Sequence, residues 1–286
     1  MNEINGSAIH LINCGLSCSN DCEFINCGNE GSVGGAIYIY NANEILNKVD
    51  MTGLTFNSCH ADYGGAVFIY SSSYLNTVTI TRCKFTQNRV NQKGPSDDYT
   101  GGSAIFLSVR NGVIIGCRFT QNNGPGGSVK IISDFKESSS LLLNDHSIHV
   151  KNCIFNENKE SIFYLASKEG SAVEVTNCLF TGKLNKNDHH INGMIIDKTA
   201  PKIVIKSCKF NDDDFSKVVH KNGQFASINA KTLEFGSNDS FSWKSIALIV
   251  VPSLAAVVAL LVIVLKRTGA RSISNEEDGI SQDETI

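Results

Sequence analysis

Proline is scarce in this sequence, at four residues in 286, against 24 glycines. That balance suits many tight turns between short strands. Charge is scarce as well. Charged residues make up 19% and apolar residues 42%, which excludes a chain left disordered for want of a core. The formal net charge is only -3 and the basic residues form no sustained stripe, so nucleic acid is excluded as a partner. The opening, M-N-E-I-N-G-S-A-I-H-L-I-N-C, has no charged start followed by an apolar run and is not a signal peptide. It already holds a strand-like phrase at 8–12, so the expectation is an array entered part-way and truncated at its N-terminus. Two-residue Asn-Gly turns joining matched strands are missing too, which removes antiparallel hairpins.

Repetition is what the sequence has instead. The phrase V-T-I-T-R-C-K-F-T-Q-N at 78–88 returns as V-I-I-G-C-R-F-T-Q-N at 113–122 and V-K-N-C-I-F-N-E-N at 150–158. Weaker copies are V-E-V-T-N-C-L-F-T at 173–181 and I-V-I-K-S-C-K-F-N at 203–211; earlier ones are F-I-N-C at 24–27 and L-T-F-N-S-C at 54–59. A second phrase alternates with it: G-G-A-I-Y-I-Y at 34–40, G-G-A-V-F-I-Y at 64–70 and G-G-S-A-I-F-L at 101–107. The interval is roughly 24 to 36 residues, the signature of a stacked-repeat architecture. The glycine pairs Gly34–Gly35, Gly64–Gly65 and Gly101–Gly102 mark turns. The runs after them are strands with one face inside. Units that repeat in one direction are parallel coils, each burying its face on the next. The expected fold is all-β, a parallel β-helix of about seven or eight coils by the motif count. Its inward ladder takes Cys27, Cys59, Cys83, Cys117, Cys153, Cys178 and Cys208, with Phe85, Phe119, Phe155, Phe180 and Phe210. Asn88, Asn122 and Asn158 fall where the chain turns and can stack as an amide ladder.

Ten cysteines raise the question of a disulfide framework. Residues in one phase of stacked coils lie about 4.8 Å apart with parallel side chains, a poor S–S torsion. The ladder therefore reads as small buried thiols, which Cys14 is expected to join. Cys18 and Cys22 are the better candidates for a bridge.

The repeat decays after Phe210. The expected organisation is a β-helix ectodomain over 1–235, a juxtamembrane linker over 236–244, a transmembrane helix over 245–265 and a short disordered cytoplasmic tail over 266–286. The stretch 246–265 carries no charge and at 1.5 Å per residue spans a ~30 Å hydrocarbon core. Trp243 stands at its outer edge, and Lys266, Arg267 and Arg271 follow it against Lys244 before it. That asymmetry places the N-terminus outside the cell and the C-terminus in the cytoplasm.

The pairing of G-G-A-I-Y-I and G-G-A-V-F-I with F-T-Q-N and F-N-E-N resembles the repeats of the polymorphic outer membrane proteins of chlamydiae. The resemblance covers roughly residues 6–210 and implies a right-handed parallel β-helix and a role in adhesion. It departs at the C-terminus, where that family has a β-barrel and this chain an apolar helix. In that respect the chain is similar to single-pass β-helix surface proteins of parasitic protists such as trichomonads.

Carbohydrate-cleaving chemistry needs two placed carboxylates. The acidic clusters Asp97–Asp98 and Asp212–Asp214 sit in or beside turns and lack the motif set of pectin-cleaving β-helix hydrolases. His146 and His149 face opposite sides of a strand, and His189–His190 has no third ligand nearby. No catalytic, metal or cofactor residue is assigned. Asn5 and Asn238 head glycosylation sequons. The sequence thus points to a plasma-membrane, single-pass surface protein that is not an enzyme. Its partners are the membrane and a host-cell surface, matrix or glycan ligand, contacted through polar excursions such as 91–100, 134–140 and 183–190. The alternatives are a membrane-tethered carbohydrate-active enzyme and a structural spacer for a missing N-terminal binding region.

Overall fold

A computed structural model of the chain describes residues 8–42, 46–72, 76–91, 101–133, 146–159, 163–167, 171–182, 191–195 and 202–210, and short strands at 219–222, 227–228 and 234–235. Every strand pairing among them is parallel, and the strands form three sheets of eight strands with a further two-stranded sheet. Consecutive coils each give one strand to each large sheet, so the array has eight coils. The first face holds Ile9–Ile12, Ile37–Asn41, Val67–Ser71, Ile105–Ser108 and Val129–Ser133 and continues through three more strands. The second holds Leu16–Ser19, Lys48–Thr52, Thr77–Thr81, Asn111–Ile115, His146–Lys151, Ser171–Thr176, Lys202–Lys206 and Ser227–Ile228. The third holds Glu23–Ile25, Thr55–Asn57, Lys84–Thr86, Arg118–Thr120, Ile154–Asn156, Leu179–Thr181, Lys209–Phe210 and Glu234–Phe235. Met1–Ser237 forms one compact unit. The second unit, Asn238–Ile286, lies outside the described residues, and with it the expected transmembrane helix and tail.

The phrase read as one strand through Cys83 to Phe85 is two strands on two faces. A single left-handed residue makes the corner between them: Gly53, Arg82, Gly116, Asn152, Asn177 and Ser207 all have φ between 51° and 71°. One residue at positive φ turns the chain through a sharp angle and lets the next strand start at once. Glycine, asparagine and serine fill most of that row, as expected for a conformation that crowds a Cβ.

Inside, a ladder of phenylalanines runs down the third face. Phe24, Phe56, Phe85, Phe119, Phe155, Phe180 and Phe210 stack with centroids 4.6–5.0 Å apart and rings within 9° of parallel. Phe56 through Phe210 are fully buried. Coil pitch fixes this spacing, so identical side chains in one register must stack. Val, Ile and Met from the second face, such as Val78 and Ile80, and Ile and Val from the first face, such as Ile37 and Val67, complete one continuous core.

The strand register corrects the cysteine phase. Cys83, Cys117, Cys153, Cys178 and Cys208 form one row, one residue before each third-face strand, and Leu54 stands in that row in the second coil. Cys27 and Cys59 do not belong to it. They follow their phenylalanines by three, the place of Asn88 and Asn122 in later coils. Cys14 also leaves the row, since it follows the first-face strand and is exposed. No disulfide links any of the ten sulfurs, so the expected Cys18–Cys22 bridge is not formed. Each thiol of the row instead reaches a carbonyl of the coil before: Cys83 Sγ lies 3.6 Å from Met51 O and Cys117 Sγ 3.6 Å from Ile80 O. Burial pushes the Cys59 thiol up to about 12. The neighbouring thiols of Cys153 and Cys83, with burial, likewise hold Cys117 well above the ordinary value. Cys59 and Cys117 are therefore protonated, whereas the hydrogen bond with Cys117 holds Cys83 and Cys153 below the ordinary value, and it is burial that keeps those two from reagents. A thiol reagent applied to the native protein should modify at most Cys14, Cys18, Cys22 and Cys27, and denaturation should release the six buried ones. Native labelling of Cys117 or Cys153 at the same rate as Cys14 would contradict this packing.

The third glycine doublet also shifts. Gly34, Gly64 and Gly102 share one register position with φ of 66°, 59° and 71°. Ser103, not a glycine, then stands where Gly35 and Gly65 do, and Gly101 belongs to the corner before.

Candidate binding face

Asparagine lines the corner after the third face. Asn88 Oδ1 accepts from the Cys59 backbone N–H at 2.9 Å, and Asn122 Oδ1 accepts from the Asn88 N–H at 3.0 Å. Asn88 Nδ2 donates to Phe56 O at 3.1 Å and to Asn122 Oδ1 at 3.0 Å; Asn122 Nδ2 does the same to Phe85 O and Asn158 Oδ1, both at 3.0 Å. Asn88, Asn122 and Asn158 are all buried. Their amides satisfy backbone groups that the corner leaves without ladder partners. In the second coil Cys59 takes over the donor, with Sγ 3.4 Å from Phe24 O. The asparagines therefore point away from any ligand, as do the phenylalanine and cysteine rows.

What a partner can touch is the outward set. On the second face, Glu174 is the centre of a charge cluster: His149 Nδ1 donates to it at 2.9 Å, Lys206 Nζ lies 3.2 Å away and Lys151 Nζ 3.9 Å. Burial alone would raise the Glu174 carboxyl, but the hydrogen bonds from Lys206 and His149 and the charges of Lys206 and Lys151 outweigh it and hold the carboxyl below its ordinary value. A depressed carboxyl adds stability above its unfolded value of 4.5, and that stability is lost as pH falls through the folded value. Replacing Glu174 with Gln should lower the melting temperature slightly at neutral pH, and the difference should vanish on acidification below the carboxylate range. A difference that grows on acidification would oppose this assignment. Register neighbours of Glu174 are His149 and Val204, with no second carboxylate beside it.

At the corner between the second and third faces, cations accumulate. Lys84 and Arg118 are direct register partners, both outward and exposed. Arg82 is exposed at its corner, and its Cγ lies 3.5 Å from where a Cβ on Gly116 would be. The first face is unlike the other two, being apolar on both sides in its middle coils. Tyr38, Phe68 and Phe106 point outward yet are at most 9% exposed, and stack at 5.5 and 4.6 Å. Tyr40 stacks on Tyr70 at 4.9 Å beside them. The alternation I-Y-I-Y at 37–40 carried this signal, because aromatics take every second position.

A family model described as the right-handed β-helix region matches residues 7–210. The chain belongs to the right-handed β-helix family. No curated protein and no solved structure matches it. Membership of the β-helix family fixes the architecture and not the activity. Among the described residues the coils of this β-helix supply a continuous buried core, and the outer rows are the part that solvent reaches.

Among the described residues no three His, Cys, Asp or Glu side chains are grouped to hold a metal ion. His149 belongs to the Glu174 cluster. The Asp97–Asp98 and Asp212–Asp214 clusters, His189–His190, Asn5 and Asn238 lie outside the described residues, as does most of each polar excursion. Among the described residues no helix is long and apolar enough to cross a membrane, and the segment 246–265 is not among them.

Proposed function

We propose that this β-helix is the ectodomain of a single-pass surface protein and serves adhesion or surface display, contacting a host-cell, matrix or glycan ligand. One observation carries the reading: a rigid repeat array, 7–210, is followed by twenty uncharged residues, 246–265, with basic residues beyond them. The likeness of the G-G-A-I and F-x-x-N phrases to chlamydial polymorphic outer membrane proteins, and of the anchored layout to surface proteins of trichomonads, supports it. A solenoid suits this work because its coils are interchangeable layers, so outer residues vary without loss of the core. The test uses the full chain in detergent, incubated with host cells and with acidic and neutral polysaccharides. Saturable retention with polysaccharide of unchanged length is the expected result. Shortened polysaccharide would replace this reading with a carbohydrate-active enzyme, and no retention would leave a spacer.

A further inference from the structure

The corner between the second and third faces carries a group of cations whose placement is costly. We infer that Arg82, Lys84 and Arg118, with Lys151 beside them, form a binding site for an extended anionic polysaccharide bearing sulfate or carboxylate groups. The inference rests on the adhesive reading above and names its ligand class.

Three independent features converge on these side chains. Arg82 occupies the left-handed corner with φ 53°, where coils 2 and 4 to 7 have Gly53, Gly116, Asn152, Asn177 and Ser207. Arginine is the one residue in that row with no local reason to be there. An outlier of this kind is a pointer to function. The opposite corner shows what compensation looks like. Gln87, Gln121 and Glu157 are also left-handed, but Gln87 Nε2 donates to Gln121 Oε1 at 3.1 Å and Gln121 Nε2 to Glu157 Oε2 at 2.9 Å. Arg82 has no such side-chain partner among the described residues.

Lys84 and Arg118 stand directly opposite each other in register, about 4.8 Å apart along the stack. Like charges so placed repel. No acidic side chain sits in the three outward rows of these coils, which hold Thr81, Ile115 and Lys151, then Arg82, Gly116 and Asn152, then Lys84, Arg118 and Ile154. In that last row Glu23 stands two coils before Lys84, and two acids of later coils are already engaged. Glu157 accepts from Gln121, and Glu174 serves His149, Lys206 and Lys151.

The third feature is placement. Arg82 Cγ lies 3.5 Å from where a Cβ on Gly116, the next corner residue, would sit, an ordinary contact distance, so the arginine stem lies along the stack toward the fourth coil. The result is a strip of three cations over two coils, Arg82, Lys84 and Arg118, with Lys151, which shares Glu174, at its edge in the next coil.

The ligand class follows from the surroundings. Thr81, Thr86 and Thr120 are partly exposed beside the cations and can exchange hydrogen bonds with sugar hydroxyls. The strip presents no aromatic ring, so a nucleobase has nothing to stack on. A linear polyanion with charges repeated along its length matches cations repeated coil by coil.

The experiment passes the full-length protein in detergent over immobilised heparin, with a neutral dextran column and single-stranded DNA as competitor. The variant Arg82→Asn, Lys84→Thr, Arg118→Thr uses residue types found at the same row positions in Asn152 and Thr55. Its control, Lys48→Gln, Arg89→Gln, Lys159→Gln, removes the same charge elsewhere. The expected result is heparin binding that is salt-sensitive, unchanged in the control and roughly tenfold or more weaker in the corner variant. Arg82→Asn alone should weaken binding while leaving the melting temperature equal or higher, since asparagine suits the corner. Equal heparin binding by the corner variant would overturn the site and leave the adhesive reading intact. Displacement by DNA at equal charge would overturn the ligand class. Retention on neutral dextran but not heparin would overturn the site alone, whereas binding to neither polysaccharide nor host cells would overturn both.

Discussion

Replacing Phe119 with Ala should destabilise the β-helix by about 3–5 kcal/mol, the range for emptying a buried aromatic site. Phe119 is fully buried and stacks on Phe85 at 5.0 Å and on Phe155 at 4.7 Å. Its loss opens a hole that touches three coils at once. A parallel array cannot close the gap by sliding one strand, because each strand is hydrogen-bonded on both sides. Phe119→Leu keeps most of the volume and should cost less than half as much. Urea unfolding followed by circular dichroism measures both. A solenoid adds nearest-neighbour terms, so the alanine variant should also separate the unfolding of the two ends. A cost below about 1 kcal/mol would mean the ring is not packed as described.

Asn122→Ala should cost about 2–6 kcal/mol, although the residue contributes almost no apolar burial. The change strands the Asn88 N–H and the Phe85 carbonyl, both in contact with the Asn122 amide at 3.0 Å. Each buried group left without a partner costs about 1–3 kcal/mol. Asn122→Asp keeps the acceptor and removes the donor, and it sets a carboxylate against Asn158 Oδ1. It should be at least as damaging as alanine at neutral pH and recover in part on acidification, when the carboxyl takes up a proton. Asn122→Cys should lie between wild type and alanine, because Cys59 already fills this place two steps earlier in the ladder and donates to Phe24 O. Melting temperatures across the four proteins test the order. Alanine equal to wild type would refute the amide ladder.

The repeat itself was readable because coil pitch forces like residues into line. Phe85, Phe119 and Phe155 recur at the same offset from Asn88, Asn122 and Asn158, and the structure stacks both rows. Phase was harder to read than existence. F-x-x-C at 24–27 and 56–59 contains the same cysteine as the later phrase but in the asparagine position, and Leu54 hides the cysteine position of the second coil. Only the phenylalanine offset separates the two, since a corner residue breaks the period-two alternation between Ile80 and Cys83. The same effect moved the third glycine doublet by one residue, to Gly102 and Ser103. The cationic corner was not legible at all. Arg82, Lys84, Arg118 and Lys151 are spread over two full repeats in sequence, and only the stacking brings them together.

The most direct measurement stains intact cells that express the chain from its native locus, using an antibody against 8–210 and a second against 266–286. The account predicts that the first labels intact cells and the second labels only permeabilised ones. Labelling by the first antibody only after permeabilisation, or by the second on intact cells, would contradict a surface-displayed β-helix anchored by 246–265.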